Sequence, residues 1–138
     1  MKVARVLGLV GLLFVLASGP QVLAQGPKSE KGGYVHVVVF KMKADAPKGA
    51  TSQAIADCHA MLSKIKSVRA VKAGRPAAEA TPKFALRDYD FALLIQVDDA
   101  AGLKSYLDDP LHVAYVEKHG KHFDMEKLRV FDFADQKK

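Results

Sequence analysis

The chain has 138 residues, 49% of them apolar, with 21 basic against 15 acidic side chains and one cysteine. That length suits one small domain, and a single cysteine excludes an internal disulfide. The basic residues, among them Lys41, Lys43, Lys64, Lys66, Arg69, Arg75, Lys118 and Lys121, form no dense run and alternate with no aromatic ladder. They read as solvated surface, and no nucleic-acid partner is expected, because such a partner demands a clustered basic face.

Residues 1–24 read as an export address. Lys2 and Arg5 precede an apolar run from Val6 to Ala17, and Val22-Leu23-Ala24 has the composition of a cleavage site, so cleavage is expected after Ala24. The run is short of the roughly 20 residues that span a bilayer, and Gly19-Pro20 interrupts it. A retained anchor is the alternative; after cleavage no membrane partner is expected. No cysteine stands near the site to carry a lipid. Cleavage removes Lys2 and Arg5, leaving 19 basic against 15 acidic residues, a net charge of +4. Residues 25–33 are a polar, glycine-rich leader, 34–134 the domain and 135–138 a charged tail.

Tyr34–Lys43 is rich in β-branched and aromatic residues and predicts a strand. His36, Val38, Phe40 and Met42 share one face, and Val35, Val37 and Val39 the other. Both faces are apolar, so this strand is covered twice. Asp45–Gly49 is a turn. Thr51–Lys66 carries helical spacing through Ala54, Ile55, Cys58, Met61, Leu62 and Ile65, with Thr51 or Ser52 as the cap. Cys58 lies on that stripe as a small buried hydrophobe; a nucleophile needs an electropositive, partly open setting. His59 and Asp57 fall off the stripe.

Ser67–Gly74 predicts a short strand, 75–87 a loop, and Tyr89–Val97 a third strand. In that strand Phe91, Leu93, Ile95 and Val97 oppose Ala92, Leu94 and Gln96. Asp98 and Asp99 cap a short helix through Leu103 and Tyr106. Asp109-Pro110 then restarts the helix, an acidic cap followed by a residue with no N–H to lose, and it runs to about Phe123. Leu128–Phe133 is the last strand, with Leu128 and Val130 opposite Phe131 and Phe133.

The order strand, helix, strand, strand, helix, strand predicts an α+β, ferredoxin-like split βαβ (βαββαβ) domain: a four-stranded antiparallel sheet with both helices on one face. Val35, Val37, Val39, Ala92, Leu94, Phe131 and Phe133 then form a bare apolar face, larger than a monomer tolerates. The consistent solution is a homodimer with two sheets face to face.

Two residues beside the Asp109-Pro110 break can do chemistry. His112 has an imidazole suited to general-base work near neutral pH, and the Tyr106 phenol can orient a carbonyl. The plainer readings are a structural hydrogen bond from His112 to a neighbouring strand or to Asp109, and a packed aromatic for Tyr106. His36 is either a satisfied core histidine or a ligand contact. His112, His119 and His122 fall within roughly 80° of one helical face, which raises a metal reading; the approaching helix end at Gly120 and the lack of a fourth ligand weigh against it. No metal or cofactor is expected.

YVHVVVFKMK, KIKSVRAVKAG, YDFALLIQV, YLDDPLHVAYVEKH and LRVFDF together resemble the stress-responsive A/B barrel domain (Dabb) family across nearly the whole of 34–133. The resemblance implies a dimeric α+β barrel. In a plant polyketide cyclase of that family, which needs no cofactor, the catalytic histidine and tyrosine correspond to His112 and Tyr106. Its pocket positions correspond to His36, Val38, Phe40, Leu93, Tyr115, Leu128 and Val130. The family's common His-Pro-x-His run is Asp109-Pro110-Leu111-His112 here. Ala54 and Cys58 stand where the cyclase has bulkier aromatics, which is expected to widen or reshape the cavity. The resemblance thus implies a domain that binds a small hydrophobic ligand or serves a stress-related role, or alternatively a cyclase- or lyase-like enzyme acting on a small carbonyl compound. A haem reading, with His112 or His119 as axial ligand, has no feature in its favour.

Overall fold

The computed structural model describes residues 32–79 and 82–136; the export address, most of the leader and the terminal Lys137-Lys138 lie outside them. Strands β1 (Tyr34–Phe40), β2 (Ala70–Gly74), β3 (Phe91–Val97) and β4 (Arg129–Ala134) form one sheet in the order β2-β3-β1-β4, every neighbour antiparallel. Helices α1 (Ala50–Met61), α2 (Ala100–Leu107) and α3 (Pro110–His119) join them, α1 and α3 each ending in a tightened 3₁₀ turn. This is the split βαβ arrangement expected, with the second helix broken in two.

The strands with the longest β-branched and aromatic runs, β1 and β3, hold the centre. Each buries its helix-facing side: Val38, Phe40, Phe91, Leu93, Ile95 and Val97 join Leu62, Leu103 and Tyr106 in the core. Phe40 stacks on Phe91 with centroids 4.3 Å apart and rings 6° from parallel, and Phe123 tilts against both. Offset and tilted aromatic groupings of this kind contribute beyond their buried area.

Several expected boundaries move, each for a visible reason. β1 ends at Phe40, not Lys43, because the chain changes partner: Lys43 N–H donates to the His122 carbonyl (2.9 Å), Asp124 N–H to the Lys41 carbonyl (2.8 Å), and Met42 bridges Phe123. β2 starts at Ala70, since Val68 N–H closes a turn onto the Ile65 carbonyl. β3 starts at Phe91. Neither Thr51 nor Ser52 caps α1. Gly49 does so at φ 89°, a left-handed conformation that glycine adopts without a Cβ penalty, and no side chain caps the turn. α1 stops at Met61 and does not reach Lys66.

The second helical stretch follows its acidic punctuation. Asp99 accepts from Gly102 N–H (2.8 Å) to start α2, and Asp109 accepts from Leu111 N–H (2.8 Å) to start α3, with Pro110 at the first helical position. α3 ends at His119, short of Phe123.

The outer sheet face is apolar and open, with one correction. Phe131 (55% exposed) and Phe133 (53%) stand in solvent, while Val37, Val39, Ala92 and Leu94 are half-buried. Val35 is buried: the register sets it between Gln96 on β3 and Phe133 on β4, two long side chains of the same face. Among the described residues no helix is long and apolar enough to cross a membrane.

Candidate functional site

The break between α2 and α3 makes the site. In an unbroken helix Leu111 N–H would bond the Leu107 carbonyl four residues back; here it is taken by the Asp109 side chain. The Leu107 carbonyl is left free, and the His112 Nδ1–H donates to it at 2.9 Å. That hydrogen bond fixes the tautomer: Nδ1 holds the proton and Nε2 carries the lone pair. The structural bond of His112 therefore goes to the end of α2, not to Asp109 or to a strand.

Tyr106, one residue before Leu107, places its ring 4.7 Å from that of His112, and the two tilt at 51°. Tyr106 is almost wholly buried, and among the described residues its hydroxyl has no hydrogen-bond partner. On β1, His36 lies 6.0 Å from the Tyr106 ring. His36 Nδ1 meets Asp132 Oδ1, directly across on β4, at 2.6 Å; with the carboxylate accepting, Nδ1 carries a proton and Nε2 is the nitrogen left for the cavity.

These three side chains close one end of a cavity of about 220 Å³ between the helices and the inner sheet face. Val38, Phe40 and Leu93 form its floor, Leu128 and Val130 its β4 side, and Tyr115 its α3 wall. All nine residues singled out from the sequence, His112, Tyr106, His36 and these six, thus line one space. Four more line it as well: Leu107, Val116, Phe123 and Met125. Val116 was legible, one helical turn from His112 on the same face of α3. Met125 and Phe123 sit in the turn after α3, whose direction no periodicity sets. The rim is open, with Met125, Val130, Val116 and Leu107 all exposed.

Ala54 and Cys58 do not widen this cavity, contrary to the expectation from their small size. Tyr115 lies between them and the space: its hydroxyl accepts from Cys58 Sγ (3.1 Å) and donates to the Ala54 carbonyl (3.3 Å). Burial pushes the Cys58 thiol up to about 11, so it is an unreactive core group.

The three histidines weighed as metal ligands do not come together, and no cluster of three or more potential ligands occurs among the described residues. His112 faces the cavity, while His119 is buried against α1, its Nε2 2.7 Å from Asp57 Oδ2, which Lys118 also meets at 2.7 Å. Asp57, off the apolar stripe by spacing, is buried with His119, and the pair ties α3 to α1. Lys118 above all, with His119 and Gln53, holds the Asp57 carboxyl below its ordinary pKa against the opposing effect of burial.

Burial also dominates at the site. It holds the Tyr106 phenol well above its ordinary pKa. It lowers His112 below the usual imidazole value, with the nearness of His36 acting in the same direction and the Leu107 carbonyl and Asp109 opposing. His112 is therefore neutral at neutral pH. A ring-NMR titration of His112 is expected to give a midpoint below the model-peptide value of about 6.5. Because the folded form binds its proton less readily than the unfolded, stability declines as pH falls through 6.5 toward that midpoint. A midpoint at or above 6.5 would contradict this environment.

Comparison with known proteins places the chain. The family model described as the stress responsive A/B barrel domain matches residues 35–135. The chain belongs to the stress responsive A/B barrel domain family. No curated protein matches it significantly. Among solved structures it is similar to a Dabb family protein with a ferredoxin-like fold from Mesorhizobium loti, at 26% identity and TM-score 0.59, over 75% of this chain and 97% of that one. It is also similar to a dimeric ferredoxin-like protein of unknown function from Thermobifida fusca, at 20% identity and TM-score 0.61, over 73% and 89%. A hydroxynitrile lyase from Passiflora edulis shares the fold at 15% identity and TM-score 0.63, over 76% and 94%.

Proposed function

We propose that this A/B barrel protein is an exported homodimer that binds a small hydrophobic molecule in the cavity beside His112. The cavity carries the proposal: an apolar space of about 220 Å³ with three hydrogen-bonding side chains gathered at one end has the form of a binding site. Pairing through the open sheet face is supported by the exposure of Phe131 and Phe133 and by the dimeric state of the Thermobifida fusca relative. Export is supported by the composition of residues 1–24, which precede the family's domain.

A second reading, a cofactor-free enzyme, is favoured by the pairing of Tyr106 with His112. A carbonyl oxygen accepting from the Tyr106 hydroxyl would sit beside His112 Nε2, which could take a proton from the adjacent carbon or a neighbouring hydroxyl. The Passiflora edulis enzyme lends this only the precedent of catalysis on the fold, since function resides in the site.

A thermal-shift screen of small hydrophobic carbonyl compounds on the wild type and on His112→Ala tests the site. Compounds that stabilise the wild type should stabilise His112→Ala less, by about 1 kcal/mol for a lost hydrogen bond. Equal shifts in both proteins would refute a His112-centred site. Turnover of any such compound that disappears in Tyr106→Phe and His112→Ala would move the assignment to the enzyme.

A further inference from the structure

The wall of the cavity says what charge its ligand carries. Among the thirteen residues that line it there is no lysine, arginine, aspartate or glutamate. Tyr115 contributes a ring, since its hydroxyl is spent on Cys58 and Ala54. Hydrogen bonding is left to three groups at one end: Tyr106, whose hydroxyl can donate, the Nε2 lone pair of His112, which accepts, and Nε2 of His36, whose ring is already paired with the Asp132 carboxylate.

We infer that the cavity selects an uncharged, single-ring-sized molecule presenting an oxygen acceptor together with an O–H or N–H donor, and rejects carboxylates. This rests on the cavity being the binding site. An engineered apolar cavity of about 150 Å³ holds benzene, and pockets for drug-sized ligands run from about 300 Å³ upward; the 220 Å³ here lies between them. A carbonyl or ether oxygen meets the Tyr106 hydroxyl, and the donor meets a histidine lone pair. A carboxylate has only lone pairs to offer. It would face the His112 lone pair, lose its water and find no lysine or arginine, with His36 already matched by the Asp132 carboxylate, and burying an unpaired charge in this way is costly. The nearby carboxylates, Asp132 behind His36 and Asp109 at the start of α3, are of the repelling sign.

Matched probes test the inference: 3-hydroxyacetophenone and 3-hydroxybenzoate have the same ring, hydroxyl and overall shape, and differ in a methyl ketone against a carboxylate. Dissociation constants are read by NMR titration of the domain at pH 7.5. The neutral probe is expected to bind at least about thirtyfold more tightly, and Tyr106→Phe to weaken it severalfold. Val130→Lys sets an ammonium at the half-exposed rim, where the fold tolerates it, and should cut the discrimination at least tenfold. Equal or tighter binding of 3-hydroxybenzoate by the wild type would overturn the charge selection while leaving the cavity as a site. Discrimination unchanged by Val130→Lys would overturn its cause. Shifts from neither probe at cavity residues would refute the binding site itself, and the selectivity with it.

Discussion

Replacing Phe131 with aspartate is expected to convert the protein from dimer to monomer, with a loss in dimer affinity of about a thousandfold or more. Phe131 stands midway along the edge strand β4 on the open sheet face, paired with Val37 on β1, and is 55% exposed in the single chain. Face-to-face pairing of two sheets about a two-fold axis buries every such residue twice, once from each protomer. Burying a phenylalanine side chain is worth about 1.5–3 kcal/mol. Losing two, and setting two carboxylates in the interface, exceeds about 4 kcal/mol, or three decades in the dissociation constant. The monomer should keep its fold, because the change falls on a solvent-facing position of an edge strand. Light scattering at micromolar concentration reads the result directly. A monomeric wild type, or a dimer untouched by the substitution, would dispose of the proposed pairing.

Phe91→Ala should cost about 4 kcal/mol of folding stability. Phe91 is fully buried at the start of β3, stacked on Phe40 and tilted against Phe123. Truncation removes the transfer energy of a whole ring and leaves a void that the stiff central strands cannot close, and such changes typically cost 3–5 kcal/mol. Phe40 forms part of the cavity floor with its other side, so the variant should also bind cavity ligands more weakly. Urea unfolding gives the number: the midpoint should fall with little change in slope. A loss under about 1 kcal/mol would mean that the three-ring cluster does not hold the sheet to the helices.

The architecture was legible because its signals are periodic. Two-residue alternation in β1 and β3 sorted inner from outer residues, and Asp109-Pro110 marked the helix break that leaves Leu107's carbonyl to His112. What escaped notice was polar residues in apolar company. Asp132 shares a strand face with Val130, so the same alternation puts it inward, yet nothing local announces that His36 waits across the ladder. Asp57 sits three residues after Ala54 on the buried face of α1, and its partner His119 is 62 residues further on. Charge reads as surface until its partner is known. Gly49 escaped for the opposite reason: a cap made by backbone conformation leaves no side-chain signature beyond the glycine itself. The pocket rim at Phe123 and Met125 depends on the path of a turn, and pairwise spacing cannot supply that path.

If the space walled by His36, Tyr106 and His112 is a binding site, it takes up small molecules in solution. Amide chemical-shift mapping of the isotope-labelled domain during titration with 3-hydroxyacetophenone tests it most directly. Saturable shifts are expected at Val38, Leu93, Tyr106, His112 and Leu128, with the outer-face residues Leu94 and Phe131 unmoved. Shifts confined to the outer sheet face, or none up to the solubility limit of the probe, would contradict it.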